Sequence, residues 1–146
     1  MLKLINFTRK FSKTIIKLSE EEKAKSAFVA SALKNTTIFD KIISKEISAD
    51  IIYEDSKCLA FNDINAQAKV HFLVIPKCRI PRLEDMTEKD CEVVGHIMKI
   101  ASKLGKERSP EGFRLVVNNG VHGCQSIYHL HLHIIGGQQL SWPPGV

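Results

Sequence analysis

The chain has 146 residues, 44% of them hydrophobic, which bounds it to one ordinary domain with a buried core plus an extension. Its formal net charge of +5 comes entirely from residues 1–19, which hold Lys3, Arg9, Lys10, Lys13 and Lys17 and no acid; the remainder balances at 16 acidic and as many basic residues, so no nucleic acid partner is indicated for the domain. Cys58, Cys78, Cys91 and Cys124 form no C-x-x-C pair and read as reduced thiols rather than a disulfide scaffold, and no apolar run reaches the ~18 residues of a membrane span, so a soluble chain is expected.

In residues 1–19, Leu4, Phe7, Phe11, Ile15 and Leu18 gather on one face of a helical wheel and the five basic residues on another, with Thr8, Ser12, Thr14 and Ser19 interspersed. That is the composition of a mitochondrial transit peptide, with a surface arm on a cytoplasmic protein as the alternative. Residues 20–34 turn Glu/Lys/Ala-rich and predict a short solvated helix, so residues 1–34 read as an extension and 35–146 as the domain.

Within the domain, Ile38, Ile42 and Ile43 predict one or two helical turns over residues 37–45, with Asn35-Thr36-Thr37 as a cap or break. Residues 51–54 and 57–63 predict paired strands around the Asp55-Ser56 turn, and residues 70–75 a third strand ended by Pro76. From Thr87 and Asp90, the spacing of Val93, Val94, Ile97, Met98, Ala101 and Leu104 predicts a core helix closed by Gly105. Strands over 113–118 and 128–135 complete five, an α+β domain with an antiparallel sheet covered by helices.

The last of these strands decides the chain. His129, His131 and His133 alternate with Leu130, Leu132 and Ile134, so an extended backbone puts the imidazoles on one face and the aliphatics on the other. At ~6.7 Å per two residues, His129 and His133 stand ~13 Å apart, too far to share one zinc at ~2 Å; an adjacent pair could bind metal only with a third ligand from elsewhere. Imidazole also suits nucleophilic attack on phosphorus: it is largely neutral near pH 7, and neighbouring imidazoles can donate or accept protons. A backbone carbonyl accepting the Nδ1 proton of His131 would leave Nε2 free to attack.

His129-Leu130-His131-Leu132-His133-Ile134-Ile135 resembles the signature of the histidine triad (HIT) proteins. Thr37-Ile38-Phe39-Asp40-Lys41-Ile42-Ile43, Cys58-Leu59-Ala60-Phe61-Asn62-Asp63-Ile64, His71-Phe72-Leu73-Val74-Ile75-Pro76-Lys77, Val116-Val117-Asn118, Gln125-Ser126-Ile127-Tyr128 and Trp142-Pro143-Pro144-Gly145 are similar to the histidine triad nucleotide-binding (Hint) branch. The closing Trp-Pro-Pro-Gly and the third histidine set it apart from dinucleotide-cleaving and nucleotidylyl-transferring relatives. The sequence departs from the branch at Asn62, often a histidine, at Cys124, commonly Gly or Ala, and in the extra Val146.

The resemblance implies a HIT-like fold that dimerises into one continuous sheet, and purine nucleoside 5′-phosphoramidate hydrolysis without cofactor or metal. In that scheme His131 attacks the α-phosphorus, His71 and His129 relay protons, His133 holds a phosphate oxygen and Ser126 lies near the leaving amine. It also places Asp63 and Ile64 at the ribose, and Ile38, Phe39, Ile42 and Phe61 around the base. Asn118, Ser126 and the backbone of Cys124, Gln125 and Ser126 would serve the phosphate. The alternatives are a nucleotide-binding regulatory or scaffold homodimer with little turnover and, with least in its favour, a zinc-binding protein.

Overall fold

The computed structural model describes residues 18–31 and 36–144. Three helices, α1 (Glu20–Ser31), α2 (Ile38–Ile43) and α3 (Cys91–Arg108), accompany five strands, β1 (Ile51–Glu54), β2 (Cys58–Asn62), β3 (Val70–Pro76), β4 (Phe113–Val116) and β5 (Leu132–Gly136). The strands form one sheet in the order β1-β2-β3-β5-β4 with every neighbouring pair antiparallel. This is the α+β architecture expected from the sequence. The amphipathic segment, apart from Leu18 and Ser19, lies outside the described residues, as do Gly145 and Val146. Among the described residues no helix is long and apolar enough to cross a membrane.

Alternation along the strands sorts the core into two layers. Cys58, Ala60, Phe72, Val74, Leu132 and Ile134 face α3 and pack with its Ile97, Ile100, Ala101 and Leu104. Leu59, Phe61, Leu73 and Ile75 face the other way, against Phe39 and Ile42 of α2. His71 shares the parity of Leu73 and Ile75, and His133 pairs with Leu73, so both imidazoles emerge on the α2 side of the central strands.

Helix α2 starts where its sequence says it should. The Thr37 hydroxyl accepts the Asp40 N–H at 3.3 Å while the Asp40 carboxylate accepts the Thr37 N–H at 2.6 Å, a reciprocal capping box. The outlying α1 also meets the domain, with Ala24 fully buried and the Phe28 ring 6.2 Å from that of Tyr128.

Several predicted details change: the segment after Thr87 opens as a 3-10 turn (Glu88–Asp90) with the α-helix proper starting at Cys91, and the strand predicted over 113–118 ends at Val116. Helix α3 runs through Gly105 to Arg108, because Lys106, Glu107 and Arg108 sustain it. Gly105 instead admits Phe113, whose ring would lie 2.7 Å from a Cβ at this position. Met98, expected in the core stripe, is exposed, and Ile100 takes that role with Ile97, Ala101 and Leu104. Strand β5 begins at Leu132 rather than Tyr128: continued register would set Leu130 opposite Pro76, which has no N–H for the ladder, and the Leu130 N–H goes to the Ile80 carbonyl at 2.6 Å.

Candidate active site

Although only His133 sits in the strand proper, the alternation continues upstream: Leu130 joins the α3-side core while His129 and His131 face α2. The Phe39 ring stands edge-on to both, at 5.9 and 5.3 Å between centroids, and the His131 and His133 rings are 5.0 Å apart.

Hydrogen bonds fix the tautomers. His131 Nδ1 lies 2.7 Å from the His129 carbonyl, which can only accept, so Nδ1 carries the proton and Nε2 of the neutral ring holds a lone pair. The Gln67 N–H donates to His71 Nδ1 at 3.0 Å, so the His71 proton is on Nε2, where it reaches His133 Nδ1 at 2.9 Å. That leaves the His133 proton on Nε2. Asp63 Oδ2 stands beside this junction, 3.5 Å from His71 Nε2 and 3.9 Å from His133 Nδ1. The result is a directed chain from Gln67 through His71 to a donor on His133, next to an unprotonated nitrogen on His131.

Electrostatics keep the cluster neutral at physiological pH. Burial pushes His131 and His71 below the ordinary imidazole range, against the opposing pull of the His129 carbonyl on the former and Asp63 on the latter. His133 is pushed down to about 4 by burial and by the neighbouring His131 and His71. Between its ordinary value of 6.5 and about 4, the unfolded chain binds a proton that the folded chain does not, so stability falls as pH drops through that window. Chemical unfolding should register a loss on the order of 2–3 kcal/mol there from this group, and His133→Gln should flatten that part of the curve. An equally steep fall in the variant would remove His133 as its source.

The remaining predicted residues separate into two groups. Gln125 is buried and fully used: its amide donates to the Pro81 and Ile127 carbonyls and its oxygen accepts the Gly120 N–H. The Asn118 amide donates to the Gly123 carbonyl, and the N–H groups of Cys124 and Gln125 close turns onto Val121 and Gly120. These groups build the loop. Ser126 is left with its N–H and hydroxyl unpartnered among the described residues. Phe39, Ile42 and Phe61 belong to the core layer behind the histidines, whereas Ile38 and Ile64 are exposed. Asn62 points to the α3 side of the sheet, bonded to Asp50 at 2.6 Å and approached by Arg108 at 3.2 Å.

Three groups that hold the site were not read from the sequence: the Gln67 N–H, the Pro76 carbonyl and the Asp40 carboxylate. The first two are backbone and carry no residue-type signal. Asp40 stands in the Thr37–Ile43 stretch similar to the Hint branch with no role attached to it, and the structure shows it as the last member of a Thr-x-x-Asp capping box.

Donor atoms of Asp63, His71 and His133 lie within 4.8 Å of one another, as do those of Asp55, Cys58 and His96 on the other side of the sheet. In each set two members are already hydrogen-bonded, His71 to His133 and His96 to Asp55, and a metal would have to break that bond.

Comparison with known proteins agrees with this fold. A HIT domain model matches residues 44–140. A protein of Arabidopsis thaliana named adenylylsulfatase HINT1 is 44% identical over 138 residues, covering 92% of each chain. A 14 kDa zinc-binding protein of Zea mays is 48% identical over 112 residues, covering 75% of this chain and 88% of that one. The crystal structure of a HIT family hydrolase from Legionella pneumophila superposes with a TM-score of 0.73 at 42% identity, over 75% of this chain and all of the other. The chain is a member of the HIT domain family, with the family's fold and a histidine cluster of hydrolase type.

Proposed function

We propose that this protein hydrolyses purine nucleoside 5′-phosphoramidates through a nucleotidyl-histidine intermediate on His131. The observation that supports this reading is the 2.7 Å bond from His131 Nδ1 to the His129 carbonyl, which leaves Nε2 unprotonated and able to act as a nucleophile. Nε2 attacks the α-phosphorus and the P–N bond breaks, the amine leaving with a proton. Water then attacks the phosphorus, loses a proton to the relay and displaces His131 as the nucleoside monophosphate departs.

An amine is a poor leaving group unless protonated, so the first step needs an acid. The His71–His133 chain has a donor on His133 Nε2, and Ser126, nearby in sequence, offers a hydroxyl without a partner among the described residues. His129 has less to give, since its ring is fully buried with Nε2 on the Pro76 carbonyl at 2.8 Å. Asp63 would accept from the ribose hydroxyls, and the exposed Ile38 and Ile64 would flank the base and sugar. Two subunits would join through their sheets, as the resemblance implies.

The adenylylsulfatase name of the Arabidopsis thaliana relative favours a second reading in which the group leaving phosphorus is sulfate. Sulfate departs without a proton, so the two substrates differ in their demand on the relay. Hydrolysis of adenosine 5′-phosphoramidate and of adenylyl sulfate, each with chelator present, tests both readings. Turnover of the phosphoramidate is expected to survive chelation. Binding of the nucleotide with no turnover of either substrate would favour a regulatory module, and loss of activity on chelation would favour a metal site.

A mitochondrial location for the full chain is proposed on the acid-free basic segment alone. Residues 1–34 fused to a fluorescent reporter should carry it to mitochondria, and a diffuse cytoplasmic signal would refute the address without touching the chemistry.

A further inference from the structure

The Asp40 carboxylate faces the site from the first turn of α2. Its Oδ2 is held by the Thr37 N–H at 2.6 Å and the Thr37 hydroxyl at 2.9 Å, while Oδ1 has no hydrogen bond among the described residues. Oδ1 lies 3.5 Å from Nδ1 of His129, a nitrogen that is fully buried and has no hydrogen-bond partner among the described residues. The other ring nitrogen is fixed, because Nε2 must donate to the Pro76 carbonyl at 2.8 Å. In neutral His129 the Nδ1 lone pair therefore confronts a carboxylate, and only when Nδ1 takes a proton do both nitrogens have acceptors. The main-chain carbonyl of this same residue holds the His131 proton.

We propose that Asp40 is a positioning residue for the His131 nucleophile, acting through the His129 ring to fix the carbonyl that sets the His131 tautomer. The proposal rests on the nucleotidyl-histidine reading above and extends it to a residue outside the histidine cluster. Every charged group facing His129 bears on the sign. Asp40 from α2 favours the imidazolium; Arg79, from the loop after β3, opposes it; the Pro76 carbonyl favours it and burial opposes it most, leaving His129 below its ordinary range. Phe39 contributes only its ring edge. When His131 bonds phosphorus its ring becomes cationic; Asp63 is the carboxylate that acts on that ring directly, and Asp40 reaches it only by holding His129 in place.

The test is Asp40→Asn, which keeps the size of the side chain and an oxygen for the Thr37 cap while removing the charge. Nitrogen-15 NMR of the imidazoles should show His129 titrating lower than in the wild type, by on the order of one pH unit. The kcat for the phosphoramidate should fall about 10-fold with KM little changed. Asp40→Glu, charged and equally suited to a capping box, should restore most of both. Thr37→Val, which breaks the cap but leaves the carboxylate, should lower the Tm without shifting the His129 titration. Unchanged His129 titration in Asp40→Asn overturns the proposal, and so does an Asp40→Glu variant as impaired as the Asn. The NMR readout requires no turnover, so a wild type inactive on phosphoramidates would defeat the functional reading while leaving the Asp40–His129 link separately decided.

Discussion

His131→Ala is expected to lower phosphoramidate turnover by at least ~10⁴-fold, the largest effect of any single change in this chain, because it deletes the covalent pathway and not merely one contribution to it. The fold should tolerate the change. His131 is buried against Phe39 and bonded to one carbonyl, so its loss opens a small cavity worth about 1–3 kcal/mol in a molecule whose core layers are built by other residues. Mass spectrometry of acid-quenched wild type should find the nucleotidyl group on the peptide carrying His131 and on no other. An adduct on His133 would instead mean that its Nε2 is unprotonated, contradicting the chain of donors from Gln67 through His71. His133→Ala and His71→Ala should cost less than His131→Ala, since each removes a proton route or a phosphate contact and leaves the nucleophile in place.

The alternation of the three histidines was legible because it is a periodicity, and the face it predicts persists even where the ladder does not. The alternation extends back to Tyr128, but the ladder starts only at Leu132 because its limit is set by Pro76, a residue of the neighbouring strand far away in sequence. Gly105 looked like a helix stop because glycine serves both as a C-terminal cap and as a close-packing residue; only the position of Phe113 distinguishes the two. The loop between β4 and the histidines divides in the same way. Gln125 and Asn118 are polar residues beside the triad, which in sequence suggests ligand contact, yet their amides are used within the protein. A backbone carbonyl on His131 Nδ1 is expected from the sequence, but no pattern says that it belongs to His129 or that the Gln67 N–H holds His71. The Pro76 carbonyl on His129 comes from a distant strand and becomes visible only with the sheet.

Gly123→Ala is the second large effect expected, about 10²-fold in kcat/KM, although this residue bears no reactive group. A Cβ here would lie 2.3 Å from the Asn119 carbonyl oxygen and 2.8 Å from its nitrogen, and both are backbone, so no rotamer relieves the contact. The turn over residues 119–124 must open. Its closure depends on the Asn118 amide bonded to the Gly123 carbonyl, on the Cys124 N–H bonded to Val121 and on Cys124 itself, already left-handed at φ 57°. Opening it displaces Ser126, two residues beyond Cys124 and the member of this loop whose N–H and hydroxyl have no partner among the described residues, the donors that the proposed reaction would aim at phosphate. A shift near 1 Å at such donors is enough to cost two orders of magnitude, because they act on the transferring group only when aligned. Stability should drop by about 1–3 kcal/mol, read as a lower Tm, since Gln125 anchors the far side of the turn to Pro81 and Gly120 and limits how far it can open. The nucleotidyl adduct should still form on His131, only more slowly, which separates a displaced phosphate loop from a lost nucleophile. Wild-type kinetics in a destabilised Gly123→Ala protein would show that the loop supports the fold and takes no part in holding the phosphate.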